Sequence, residues 1–462
     1  MKKIPPCSGK ELQERIRKLL SRPEFPDKEF TLSGRTYAET YEMASELQEA
    51  FSLIHHQNRP ICLCADDRAI MMAAFLAALA SGGPPLIIPY SDSAAVLSEM
   101  HAQTGYDTAV CDQEKEVPPG VTTIIPKAGT GKQSIPKLET AIDLNREFLF
   151  LFTGGSTGKP QVWPKTVRNL FSEVFYHIEK HALSAQDRFV ATVPPHHIYG
   201  LLFSVLVPFA VSAGIASETI TFPQEIVSAV QQQDATIMVS VPMHYKALCG
   251  HPIPDHSLRL ALSSAGVLDK TDNERFCSLN HTGILEIYGS TETGGIAFRC
   301  RANGEAAFTA FDTIDIKIPD EKIHVRSDYI SPNVNREPDG YFQTGDCGRD
   351  LGGSRFELLG RSDGIVKIGG KRVDLQEIRE KIMQLQEVQD AVILSSPAPS
   401  GREAEITAVI EGDVTASAIR NHLATHLEPY ARPRRYRIVP RIPKNRLGKI
   451  DMEQVEKWFE KA

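Results

Sequence analysis

Cysteine pairs of the metal-binding kind are missing from this sequence. Its eight cysteines are scattered, and the nearest two, Cys62 and Cys64, alternate inside the apolar run ICLCADD. Such spacing suits neither a zinc site nor a disulfide framework, so reduced thiols in a cytoplasmic protein are the expectation. One-sided charge is missing too: 51 basic residues stand against 58 acidic ones, the signs interspersed, for a net charge of −7. Nothing in that balance draws the chain to nucleic acid or an anionic membrane, which leaves small molecules and proteins as partners. Unbroken hydrophobic runs of spanning length are lacking as well. AIMMAAFLAALASGGPPLIIP is cut by Gly-Gly-Pro-Pro, and YGLLFSVLVPFAVSAGIA contains Pro208 and Gly214 and has no basic flanks, so both read as buried core. The opening MKKIPPCSGKELQERIRKLL places charge and proline where a secretory signal needs apolar residues.

What is present is a globular composition, 42% apolar and 24% charged, over 462 residues, a length that asks for two or more domains. Helical periodicity in YAETYEMASELQEAF is followed by the strand-like PICLCA, an apolar helix and a second strand, PLIIPY. The pattern recurs with REFLFLF, the helix VRNLFSEVFYHIEKH, DRFVATV, a long apolar helix and ATIMVSVP. Strand, helix, strand at this pace predicts crossover connections and parallel sheets. The fold class is therefore α/β, with a large N-terminal body of parallel-type sheets flanked by helices over residues 1–360. From GSRFELLGRSDGIVKIGGKRV onward, short strands alternate with amphipathic helices, which predicts a smaller α+β domain over residues 361–462.

The segment LFTGGSTGKPQVWPKT, residues 151–166, closes a strand with three glycines and several hydroxyls. Glycine lets successive amides point into one concavity, and hydroxyls add donors, so a phosphate is the expected guest. The loop is not of the motor-ATPase type. That pattern needs a glycine five positions before Gly158, where Thr153 stands, and a hydroxyl after Lys159, where Pro160 stands. Four further segments follow in order: YGSTETGG at 288–295, YFQTGD at 341–346, GRSDGIVKIGGKRV from 360, and PKNRLGKID near the end. Taken singly they are a turn, a hairpin, a basic strand and a solvated lysine; for Glu292 the ordinary alternative is a cap on a following helix.

In this order and at this spacing the motifs resemble the adenylate-forming superfamily of acyl-CoA synthetases, luciferases and nonribosomal adenylation domains, over nearly the whole chain. The resemblance implies an AMP-forming reaction: a carboxylate attacks the α-phosphate of ATP, pyrophosphate leaves, and a thiol captures the acyl-adenylate. It implies ATP and Mg2+, a small carboxylic acid, and an acceptor thiol on CoA or on the phosphopantetheine of an acyl carrier protein. It also implies that the small C-terminal domain is mobile. GKPQVWPKTVRNLFSEV is similar, more loosely, to stand-alone acid ligases of polyketide and aryl-polyene clusters.

Carried residue by residue, the resemblance assigns Thr153, Gly155, Ser156, Thr157, Gly158 and Lys159 to the loop that guides the β- and γ-phosphates. The superfamily has lysine where this chain has Gln161, which implies either weaker pyrophosphate contacts or contacts supplied by Lys159 or Lys165. Ala265 and Gly266 of SSAGVL, with Tyr288 and Gly289, would enclose adenine, Tyr288 by stacking. Thr291 would meet the α-phosphate and Glu292 would hold Mg2+, a hard cation that takes oxygen ligands. Asp346 would accept from the ribose hydroxyls, and Arg361 would add charge near the ribose and phosphate. Lys449 would bridge the substrate carboxylate and the α-phosphate, offsetting their repulsion in the transition state. Asp363 would be the hinge between the domains.

PPHHIYG, residues 194–200, resembles the segment lining the acyl pocket, with His197, Tyr199 and Gly200 at the matching positions. Adjacent histidines point apart on an extended chain and have no ligand-spaced carboxylate or thiol beside them, which argues against a metal there. No aspartate stands in PPHHIYGLLF to meet a substrate ammonium, which argues against an α-amino acid. The apolar YGLLFSVLVPF and VSVPMHYKAL favour a fatty or aromatic acid. Two other readings stand beside the ligase: an oxygenase of the luciferase type, and an adenylate or acyl sensor with impaired catalysis.

Overall fold

The computed structural model describes residues 3–54, 59–128, 134–153, 161–361, 364–369, 371–396, 405–443 and 452–460. It divides into a large unit built mostly from residues up to Leu358 and a small one built mostly from Leu359 onward.

The large unit holds two sheets. A six-stranded sheet runs Thr122–Ile124, Thr108–Cys111, Ile61–Cys64, Leu86–Ile88, Glu147–Thr153, Gln161–Thr166 in spatial order, and its first five strands are parallel. Four-residue strands such as Ile61–Cys64 and Thr108–Cys111 are buried throughout, as strands covered on both faces must be. The helix Arg68–Ser81 between two of them is also buried on every side. It starts on Asp67, whose carboxylate accepts from the amides of Ala69 and Ile70, and stops at Gly82 in the left-handed region.

The second sheet has twelve strands. Thr31–Leu32, Gly214–Ala216, Arg188–Ala191, Ile237–Ser240, Leu260–Ser263 and Ile284–Ser290 lie parallel. Beyond Ile284–Ser290 the sheet becomes antiparallel through Gly294–Cys300, Phe308–Ala310 and Arg355–Arg361. The parallel half fits the strand and helix rhythm of the sequence. The antiparallel half escapes that rhythm because no α-helix lies between its strands, which are joined by turns, loops and single 3₁₀ turns.

One expected element differs. The long apolar helix predicted over YGLLFSVLVPFAVSAGIA is three pieces, Ile198–Leu201, a π-turn Leu202–Leu206 and Val207–Ala210, followed by the strand Gly214–Ala216. The wider π-turn precedes Pro208, which has no amide hydrogen to donate. Gly214 lies so near Leu32 that an added Cβ would be 2.5 Å from its Cδ2, so glycine lets this strand pair with Thr31–Leu32.

The small unit carries a three-stranded sheet. Val388–Ser396 and Glu405–Gly412 pair antiparallel, and Glu405–Gly412 and Arg435–Val439 pair parallel. Helices Leu375–Ile382 and Ala416–Ala424 cover it with Ile378, Ile382, Ile419 and Leu423, all buried with Ala408 and Ile410 of the central strand. A separate hairpin pairs Ile365–Ile368 with Lys371–Asp374.

Candidate active site

The segment YGSTETGG forms a hairpin turn. Strands Ile284–Ser290 and Gly294–Cys300 pair antiparallel with Ser290 opposite Gly294, and Thr291, Glu292 and Thr293 make the bend. No helix follows, so Glu292 is not a helix cap. Ser290 and Thr293 lock the turn: their hydroxyls lie 2.8 Å apart, and each accepts from the other's amide, at 3.1 and 3.3 Å. Gly289 is needed where the two strands converge. A Cβ there would sit 2.3 Å from the Gly294 carbonyl oxygen. Thr291 and Glu292 are half-buried at the tip.

The turn is held from below by the strand and helix that follow the glycine loop. Lys165, near the end of Gln161–Thr166, is 1% exposed, and its Nζ donates to the Tyr329 carbonyl at 3.0 Å and the Glu292 carbonyl at 3.4 Å. Burial pushes its ammonium down to about 8, opposed by the carboxylates of Glu173 and Glu292. The side chain therefore points into the protein, and the expectation that Lys165 stands in for the missing lysine at position 161 is corrected. Gln161 itself is exposed at the start of its strand.

Thr166 and Asn169 form a capping box at the start of helix Val167–Lys180. Asn169 Nδ2 donates to the carbonyls of Asp328 and Ile330, at 2.5 and 3.2 Å. One turn further along, the buried Glu173 carboxylate accepts from the Gly295 amide at 2.8 Å. Residues 290–295 and 328–331 are thus tied to one helix start, and the Ser331 amide adds a 2.8 Å bond to the Glu292 carbonyl. Lys165, Asn169 and Glu173 carry no motif signal; only the T-x-x-N box hints at a helix start.

Other expected residues fall as follows. Thr153 ends its strand, and its hydroxyl accepts from Trp163 Nε1 at 3.2 Å. Ala265 takes φ +66°, a left-handed conformation that a non-glycine residue adopts at some cost, in the exposed segment after Leu260–Ser263. Beside it, Gly266 would carry a Cβ 3.4 Å from Pro242 Cγ. Tyr288 packs its ring 5.7 Å from Phe308 and 5.9 Å from Phe356. Asp346 is half-buried on Phe342–Gly352, and Arg361 ends Arg355–Arg361. Gly155, Ser156, Thr157, Gly158, Lys159, Asp363 and Lys449 lie outside the described residues.

In PPHHIYG the two histidines diverge. His196 Nε2 meets Asp66 Oδ1 at 3.3 Å, while His197 is exposed at the start of Ile198–Leu201. A Cβ on Gly200 would lie 2.0 Å from the Pro194 carbonyl oxygen, so only glycine lets this turn close. Tyr199 is buried with its hydroxyl on the Ser240 carbonyl at 3.2 Å. Around that carbonyl the sequence reading missed a polar row at the carboxyl ends of the parallel strands. Thr192 Oγ1 lies 2.7 Å from Ser240 Oγ and 2.7 Å from His244 Nδ1. Ser240 is paired in register with Ser263, and Ser263 with Glu286. The Ser263 hydroxyl is buried with no hydrogen-bond partner among the described residues. Burial holds the His244 imidazolium below the usual range, which favours the neutral ring. Carboxyl ends of parallel strands are where open α/β sheets place ligands.

With this geometry in view, the matches to known proteins are specific. The AMP-binding enzyme family model matches residues 21–340, and the AMP-binding enzyme C-terminal domain model matches residues 377–449. Similar proteins include a sulfoacetate–CoA ligase of Cupriavidus necator, 24% identical over 80% of this chain and 78% of that one. A malonate–CoA ligase of Arabidopsis thaliana is 23% identical over 87% and 78%. A 2-succinylbenzoate–CoA ligase of Listeria monocytogenes is 26% identical over 70% and 72%. Among solved structures, a malonyl-CoA ligase with methylmalonyl-CoA and AMP bound superposes with a TM-score of 0.71 at 20% identity, covering 92% of this chain and 99% of that one. An o-succinylbenzoate CoA synthetase from Bacillus subtilis gives 0.71 at 18% identity, covering 98% of each.

Proposed function

The chain belongs to the AMP-binding enzyme family, and on that premise we propose that it is an AMP-forming acid–CoA ligase. The observation that carries the reading is the rigid hairpin turn that presents Thr291 and Glu292 together, its backbone fixed by Lys165 and Ser331. In this reading ATP lies with adenine against Ala265, Gly266 and Tyr288, ribose hydroxyls on Asp346, and the α-phosphate at Thr291. The glycine loop, from Thr153 to Lys159, receives the departing pyrophosphate. Lys449 joins the acid's carboxylate to the α-phosphate, and the acyl-adenylate then passes to the thiol.

Glu292 suits Mg2+. It is a single hard carboxylate on a fixed backbone, and among the described residues no cluster of three or more His, Cys, Asp or Glu is built to hold a metal. That is the donor set of an ion shared with substrate phosphates and water, which would neutralise charge at the α-phosphate.

The acid is a small carboxylic acid with a second polar group. The sequence argument for an apolar acid weakens because Leu201, Leu202, Phe203, Val205 and Leu206 all pack in the main core. His244, Thr192, Ser240 and Ser263 instead offer hydrogen bonds beside Tyr199. The relatives named for sulfoacetate, malonate and 2-succinylbenzoate all take acids with a second acidic group. The same relatives favour CoA over a carrier protein as acceptor.

Acid-dependent exchange of pyrophosphate into ATP, across malonate, sulfoacetate, 2-succinylbenzoate, octanoate and benzoate, tests the reading. Exchange with one of the first three, followed by thioester formation on adding CoA, supports it. Exchange with none of the five opposes it; thioester formation only with a phosphopantetheinylated carrier protein moves the acceptor.

A further inference from the structure

We infer that Lys165 and Glu173 are positioning residues of the adenylation step, two buried side chains of opposite charge that hold the backbone on either side of Glu292 and thereby the direction of its carboxylate. The inference rests on the ligase reading above and adds two residues to it.

A lysine with 1% exposure is an expensive group to bury, since several kcal/mol of hydration are lost unless charge and hydrogen bonds offset them. Here the offset comes from two backbone carbonyls, Tyr329 and Glu292, which accept from the ammonium, helped by the field of the Glu173 and Glu292 carboxylates. An apolar side chain could fill the same space with less penalty. What it could not do is donate to the Glu292 carbonyl. That oxygen accepts from both Lys165 Nζ and the Ser331 amide, so both of its lone pairs are used and the peptide plane at the turn is fixed.

Glu173 fixes the other end of the turn. Its Oε1 accepts the Gly295 amide at 2.8 Å, and a Cβ on Gly294 would come within 2.7 Å of its Oε2 and of Tyr329 Cβ. Gly294 takes φ +70°, so the chain passes over the carboxylate in a conformation that glycine allows. Glu292 is thus bracketed by a cation under its own carbonyl and an anion three residues later. Both side chains are buried and spend their hydrogen bonds on backbone, so they act as positioning groups. A metal-binding carboxylate works only when held within about 0.5 Å of its productive place, and supports behind a ligand commonly account for roughly 10- to 100-fold in affinity or activity.

The experiment uses the full chain and compares Lys165→Met, Glu173→Gln and the double variant. Each is assayed for pyrophosphate exchange at varied Mg2+, for thioester formation from supplied acyl-adenylate and CoA, and for thermal midpoint. Each single variant leaves the other buried charge less well compensated and is expected to lower the midpoint; the double variant removes both charges and recovers it. The double variant is nonetheless expected to lose roughly 10- to 100-fold in exchange, to need about tenfold more Mg2+ for half-maximal exchange, and to keep thioester formation within about threefold. A double variant with the natural midpoint and natural exchange would overturn the inference by making the pair structural only, as would one that never folds. If the natural chain itself shows no exchange with any acid, the ligase reading has failed, and that outcome is separate because it appears before any variant is compared.

Discussion

Gly289, paired with Gly295 across the hairpin, runs so close to Gly294 that a Cβ on Gly289 would stand 2.3 Å from the Gly294 carbonyl oxygen. The obstacle is backbone, which cannot swing aside as a side-chain tip can. Gly289→Ala is therefore expected to destabilise the protein by about 1 to 3 kcal/mol and to displace the turn that carries Thr291 and Glu292. Urea titration with pyrophosphate exchange on the folded fraction checks this: the midpoint should fall, and exchange should fall further than the unfolded fraction explains.

Glu292→Gln keeps the shape of the side chain and removes its charge. Pyrophosphate exchange should fall by about 100-fold or more, with a higher Mg2+ requirement, while the thermal midpoint stays within a few degrees. Exchange measured against Mg2+ concentration distinguishes this from a loss of ATP binding, which would raise the ATP requirement instead.

His244→Leu removes the imidazole that meets Thr192 at 2.7 Å. The expected result is a rise in KM for malonate or sulfoacetate of roughly tenfold, the scale of one or two lost hydrogen bonds, with a smaller change for a monocarboxylic acid of similar length. A uniform change across both kinds of acid would place His244 away from the distal end of the substrate.

The stability of the large unit carries a pH signature. His181 follows helix Val167–Lys180, and its Nε2 lies 3.4 Å from His177 Nδ1. Burial pushes its imidazolium down to about 3, with positive charge on His177, Lys180 and Arg259 acting in the same direction. The folded protein keeps this ring neutral, whereas the unfolded chain takes up the proton below its ordinary value near 6.5. Stability is therefore lost as pH falls from about 6.5 toward 3, and the loss from this group reaches about 2 kcal/mol at pH 5. His181→Gln should flatten the urea midpoint between pH 7 and pH 5; a slope equal to that of the natural protein would contradict the assignment.

Much of the parallel part of the fold was legible because its strands are short, largely apolar and separated by helical periods: Ile61–Cys64, Leu86–Ile88 and Ile237–Ser240 all lie where the pattern put them. The antiparallel half was not, because turns and loops without an α-helix leave no helical period between its strands to mark them. The motif residues were found by type and order, yet what holds them was hidden. In sequence Lys165 reads as a candidate source of charge for the phosphate loop, yet its burial depends on carbonyls more than a hundred residues later in the chain. The row Thr192, Ser240, Ser263 is equally invisible in sequence, since register between separate strands brings those hydroxyls side by side.

The central claim is that Lys449 and the Glu292 turn together drive formation of an acyl-adenylate, with the later thiol step independent of Lys449. The most direct measurement is paired half-reactions on the full chain carrying Lys449→Ala. Pyrophosphate exchange with the preferred acid should be abolished, while thioester formation from supplied acyl-adenylate and CoA should persist; Asp363→Pro should show the reverse. Intact exchange in Lys449→Ala, or loss of both half-reactions in a folded variant, would contradict the account.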